Sequence, residues 1–157
     1  MLNRLLRNQK GLTLIELLAV IVILGIIAAI AVPSIGNIIE NSKKDAHIAN
    51  AEQMVSAARL AKAANVDGDI ATNTYSMEHL VSEGFLESVP ESPGNAGGYN
   101  KATSRVVYNP GDSTNDPSYT ISLTTGSKFY INSQPITKLR SDTDGEGRDL
   151  VGLDADK

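Results

Sequence analysis

One carboxylate, Glu16, stands in the stretch "NQKGLTLIELLAV" as the sole charge of residues 12–39, a block otherwise built from apolar and small side chains. At the centre of a membrane helix an acid costs roughly 2.5–3.5 kcal/mol on insertion scales, and less near the helix end. A cut after Gly11 would give Glu16 a use. Leu12 would become a free amino terminus, and Glu16 would be the fifth residue, about one helical turn along. A carboxylate in the first turn favours the positive end of the helix dipole. It also pairs with a terminal ammonium, on its own chain or on a neighbour packed beside it. A buried acid is tolerable when paired, and such a pair sets register between packed helices.

The remaining titratable groups offer less. The tail "SDTDGEGRDLVGLDADK" is acidic, and Asp142, Asp144 and Gly145 match part of an EF-hand-like loop. Placing that Gly at the sixth position puts Arg140 first and Val151 twelfth, where ligands are needed. The full loop is therefore absent, and Asp142, Asp144 and Asp149 are weak candidates for Ca2+. No other cofactor is expected, and a solvated, mobile tail is the simpler expectation. His47 lies in a helical stretch and His79 in a short helical turn, with no nucleophile spacing or paired-acid motif around them. Both read as surface or helix-face residues, and no catalytic residue is expected. The chain has no Cys, so neither a disulfide framework nor a thiolate zinc site exists. No glycine-rich phosphate cradle precedes a helix.

The element that must position Glu16 is the apolar block itself. "LLAVIVILGIIAAIAVPSIGNII" is long enough to cross a bilayer as a helix. Its flank "MLNRLLRNQK" is basic, which holds that end in the cytoplasm and puts the body of the protein on the far side. A secretory signal peptide is a rival reading, with Ala29-Ile30-Ala31 as the cut. Against it, the apolar run continues into Ile35, Ile38 and Ile39, and such a segment rarely keeps a carboxylate. An uncleaved anchor explains the flank and the length but gives Glu16 no role. Gly25 and Pro33 are helix breakers within the block, and the β-branched and small residues between them make a hinge candidate.

Residues 37–65 continue the helix in a different register of chemistry. Ile48, Ala51, Val55 and Ala58 recur at spacings of three and four, flanked by Met54 and Ala61, while Lys43, Lys44, Asn50, Gln53 and Lys62 fall opposite. An Ala-rich stripe suits close packing on a sheet. Turn residues from Asn65 end it. Ser76 caps a short helix closed by Gly84. Strands are expected over 104–109, 118–123 and 128–133, the last two joined by a Thr124–Ser127 hairpin. Without the first eleven residues the net charge falls from −4 to −7. An acidic body is a poor general binder of phosphate backbone, so DNA binding would need a local basic patch.

"KGLTLIELLAVIVILGIIAAIAVP" closely resembles the class III signal of type IV pilins and their relatives, the pseudopilins. In that family a membrane peptidase cuts after the Gly and methylates the new amino terminus. The resemblance implies cleavage between Gly11 and Leu12, N-methylation of Leu12, Glu16 as the assembly acid, and Gly25 and Pro33 within the helix. Leu12 departs from the Phe that the family most often has there. The fold implied is α+β: a long N-terminal helix packed on a small antiparallel sheet of about three strands. The division implied is a leader at 1–11, a transmembrane or filament-core half at 12–36, a pilin globular domain at 37–136 and an acidic tail at 137–157. The expected partners are further copies in a helical filament, a prepilin peptidase, the inner-membrane pilus assembly machinery, and membrane lipid before assembly. The expected place is the cytoplasmic membrane, then the cell surface. A type IV pilus-like subunit is the leading reading. A type II secretion pseudopilin or a competence (DNA-uptake) pilin remains open within the family, and a membrane-anchored binding domain outside it.

Overall fold

The computed structural model describes residues 13–94, 98–141 and 145–153. Its elements run α1 (Leu14–Ala63), β1 (Thr74–Ser76), α2 (Met77–Ser82), β2 (Arg105–Asn109), β3 (Ser118–Thr124), β4 (Phe129–Pro135), α3 (Ile136–Leu139) and α4 (Glu146–Asp149). The chain divides into two compact units, Met1–Ile39 and Glu40–Lys157.

The described part of the first unit is the apolar half of α1. Its large side chains from Leu14 to Ile39 are all exposed. This helix is long and apolar enough to cross a membrane. It passes through Gly25 and Pro33 without a break. Pro33 has no N–H to donate, so one rung of the ladder is missing there.

The second unit contains the rest of α1 and the four-stranded antiparallel sheet β1-β2-β3-β4. The Ala-rich stripe of α1 faces the core as its spacing requires. Ala51, Met54, Val55, Ala58 and Ala61 are fully buried, joined by Ala57 and His47. Small side chains let the helix backbone lie close to the sheet. The sheet presents Tyr75, Val106, Ile121, Leu123 and Ile131 to the same cluster. Register pairs Val106 with Ile121 and Leu123 with Ile131, with an irregularity on either side of Leu123. The helix stops in a Schellman arrangement: Asn65 is left-handed (φ 56°), Val66 N–H donates to Ala61 O at 3.0 Å and Asn65 N–H to Lys62 O at 3.1 Å. Ser76 Oγ accepts from His79 N–H at 3.0 Å, capping α2 as expected.

Two expectations need correction. The sheet has four strands, not three: β1 pairs with β2 through Thr74–Val107, Tyr75–Val106 and Ser76–Arg105. Three residues are too few to display an alternation, and the polar cap residue Ser76 hides the strand that precedes it. The described residues of the tail are also not a solvated appendage. Leu139 and Val151 are buried, and Gly152 N–H donates to Tyr130 O at 2.9 Å on the outer edge of β4. These few apolar residues, spaced among many acids, anchor the segment.

Candidate functional site

The first turn of α1 is built around Glu16. Thr13 stands just outside the helix and Glu16 is the third residue inside it. Thr13 N–H donates to Glu16 Oε2 at 2.7 Å, and Thr13 Oγ1–H donates to the same oxygen at 2.7 Å. Glu16 N–H donates back to Thr13 Oγ1 at 3.3 Å. This reciprocal arrangement is a capping box, in which a Thr and a Glu three residues on satisfy each other's orphan groups. The signal for it, Thr-Leu-Ile-Glu, stands in the sequence. Sequence reasoning assigned Glu16 to pairing with a terminal amine, helped by the helix dipole, and gave Thr13 no role. Glu16 Oε1 has no hydrogen-bond partner among the described residues.

Gly11 and Leu12, the expected cleavage pair, lie outside the described residues, as do Asp142 and Asp144. Gly25 sits in open space: a Cβ added there would meet nothing within 4 Å, so no contact in the chain itself requires glycine. Asp149 ends α4 and is exposed. Among the described residues no three His, Cys, Asp or Glu side chains cluster as metal ligands.

His47 is not the surface residue expected. It is fully buried, with Nδ1 2.6 Å from Tyr99 Oη and its ring stacked on Tyr130 at 4.2 Å. Burial pushes its pKa down to about 4, so the ring is neutral at pH 7. Burial likewise raises the Tyr99 phenol to about 12. His47 stands four residues before Ala51, so the helical period puts it in line with the apolar stripe, and an aromatic pocket accepts a neutral imidazole there. His79 Nε2 lies 3.0 Å from the Asp67 carbonyl, a contact that ties α2 to the loop after α1. A cleft of about 270 Å³ lies between α1 and the C-terminal segment, lined by Ile48, Ala49 and Leu139 and rimmed by two ion pairs, Glu52–Arg140 and Asp45–Arg148.

Comparison with known proteins bears on the amino-terminal site. Residues 6–32 match the prokaryotic N-terminal methylation motif. The chain carries the class III signal of type IV pilins. That match supports a type IV pilin-like or pseudopilin precursor, and the long apolar helix fits membrane anchoring before assembly. No curated protein and no solved structure matches it. The motif covers both Thr13 and Glu16, so the capping box lies inside the matched segment.

Proposed function

We propose that the chain is the structural subunit of a type IV pilus-like surface filament. The precursor inserts with residues 1–11 in the cytoplasm and the sheet-bearing domain outside. A prepilin peptidase cuts between Gly11 and Leu12, and Leu12 is N-methylated. Assembly machinery in the inner membrane then lifts subunits from the bilayer, and the apolar helices bundle. Glu16 pairs with the amino group of a neighbouring Leu12, and Gly25 and Pro33 let the helix adjust as it leaves lipid.

The observation that carries this reading is the exposed apolar half of α1 with one carboxylate in its first turn. Lipid alone could cover the apolar side chains, but only a positive partner compensates the acid. No cofactor enters this mechanism.

Glu16→Ala tests it. The variant is expected to be processed to a mature chain beginning at Leu12, read by mass spectrometry. It is expected to leave few filaments in the sheared surface fraction, read by electron microscopy. Normal filaments from that variant would remove the pairing role.

A further inference from the structure

The carboxyl end of α1 carries two cations that meet aromatic rings and not acids. The Arg59 guanidinium lies 5.1 Å from the centroid of Tyr119. Lys62 Nζ lies 5.5 Å from the centroid of Tyr108 and 3.0 Å from Asn73 Oδ1. The two tyrosines are cross-strand partners on β2 and β3, with centroids 5.0 Å apart. Neither cation has a carboxylate partner among the described residues, although the domain is rich in acids. Arg59 and its neighbour Leu60 are exposed. A surface of opposite sign stands across the helix. Glu83, Glu87 and Glu91 are exposed in a stretch that holds no Lys or Arg, and none has an ion pair among the described residues, whereas Glu78 is paired with Lys101 at 2.6 Å. Asn50 Nδ2 donates to the Glu91 carbonyl at 2.9 Å, which fixes Glu91 beside Asn50. Asn50 and Arg59 are nine residues apart, about two and a half turns, so they point to opposite flanks of α1. Arg59 and Glu91 therefore face away from each other within one copy.

Complementary surfaces on opposite flanks of one chain make a heterologous contact, which repeats from copy to copy instead of closing on itself. We infer that the Arg59–Lys62 face of one subunit receives Glu83, Glu87 and Glu91 of the next. This rests on the filament reading above and adds a surface by which the folded domains, as well as the apolar helices, set register. Opposite charges at such a surface steer approach and fix register, and like charges in any other pairing repel. The purely structural alternative is that Arg59 and Lys62 only cover the tyrosine faces and favour the negative end of the helix dipole.

The chain has no Cys, so cysteines placed on the two surfaces report their contact without background. In the full chain Arg59→Cys is combined with Glu83→Cys, Glu87→Cys or Glu91→Cys. Sheared filaments are treated with a bis-maleimide whose reach matches an Arg–Glu pair and are run on a denaturing gel. At least one combination is expected to give a ladder of covalent multimers, and each single variant to give monomer. Filaments that yield no ladder from any combination overturn the inference and leave the filament reading standing. Absence of filaments from the wild-type chain strikes down the filament reading itself. A second measurement needs no cysteine. Arg59→Glu with Lys62→Glu is expected to lower filament yield about tenfold, and Glu87→Lys with Glu91→Lys in the same chain to restore it. An undiminished yield, or a loss that the second pair of changes does not restore, overturns the proposal. Filaments that give no ladder but retain a single-stranded DNA oligonucleotide, and lose it with Arg59→Glu, would give the face to a nucleic acid and overturn it as well.

Discussion

Residues 14–39 and 40–63 form one helix, α1, yet their apolar side chains meet opposite fates. In the second stretch the apolar positions are small, recur every three or four residues and are covered by the sheet: Ala51, Val55, Ala58 and Ala61 are fully buried. In the first they are large, run all round the helix and are exposed: Leu14 is 85% exposed and Ile30 71%. A helix that is apolar on one stripe has a partner in its own domain; one that is apolar all round needs lipid or other helices. The difference gives one half to the stability of the domain and leaves the other, under the proposed function, to lipid and neighbouring helices.

The contrast is most open to attack at two isoleucines. Ile121 is fully buried on β3, whereas Ile21 is 57% exposed on α1. Ile121→Ala removes buried methyl groups and leaves a cavity, so it is expected to cost about 2–5 kcal/mol in the domain's chemical denaturation. Ile21→Ala touches nothing that the domain buries. Its denaturation midpoint is expected to match wild type, with any defect confined to membrane retention or filament yield. A domain destabilised by Ile21→Ala would mean that the two halves of α1 do not divide labour in this way.

A second measurement separates the halves by pH. His47 belongs to the buried half, and the groups against its ring are Tyr99 and Tyr130, not a carboxylate. Its folded pKa of about 4 lies below the ordinary value of 6.5, so between those values the unfolded chain binds a proton that the folded domain refuses. Stability from this group is therefore complete above pH 6.5 and is lost progressively as pH falls through 4, by roughly 3 kcal/mol. Asp45, held below its usual range by the Arg148 guanidinium, loses stability in the same direction at lower pH. Urea melts at pH 7, 5.5 and 4.5 check this. His47→Phe is expected to flatten the pH 7 to 4.5 difference, and an unchanged slope in that variant would assign the dependence to other groups.

How much of this was legible in the residues depends on how far each signal reaches. The apolar block, the Ala stripe and the alternation of Tyr119, Ile121 and Leu123 are local patterns, and each became the helix or strand it implied. The Thr13–Glu16 box is equally local, a Thr and a Glu three residues apart at the start of the apolar run. β1 was not readable, because Thr74–Ser76 is a strand only by virtue of pairing with β2, some thirty residues on. His47 was misread for the same reason: its burial is decided by Tyr99 and Tyr130, which the helical period alone does not bring to it.

The C-terminal segment depends most on distant partners, and it supplies the smallest expected effect. Composition called it an acidic tail, yet Arg140 reaches Glu52 at 2.6 Å and Arg148 grips both oxygens of Asp45 at 2.6 and 2.8 Å. Asp45 and Glu52 are seven residues apart, two turns of α1, so both arginines close on one face of the buried half. These pairs are substantially exposed, and exposed pairs contribute little, up to about 1 kcal/mol, and less in salt. Arg148→Ala is expected to lower domain stability by no more than about that amount, and the deficit should shrink when the melt is repeated in 1 M salt. The apolar anchors Leu139 and Val151 hold the segment by burial, which salt does not screen. If Arg148→Ala instead freed the segment, seen as rapid proteolysis after residue 140 at low salt, the ion pairs rather than those anchors would be what docks it on α1.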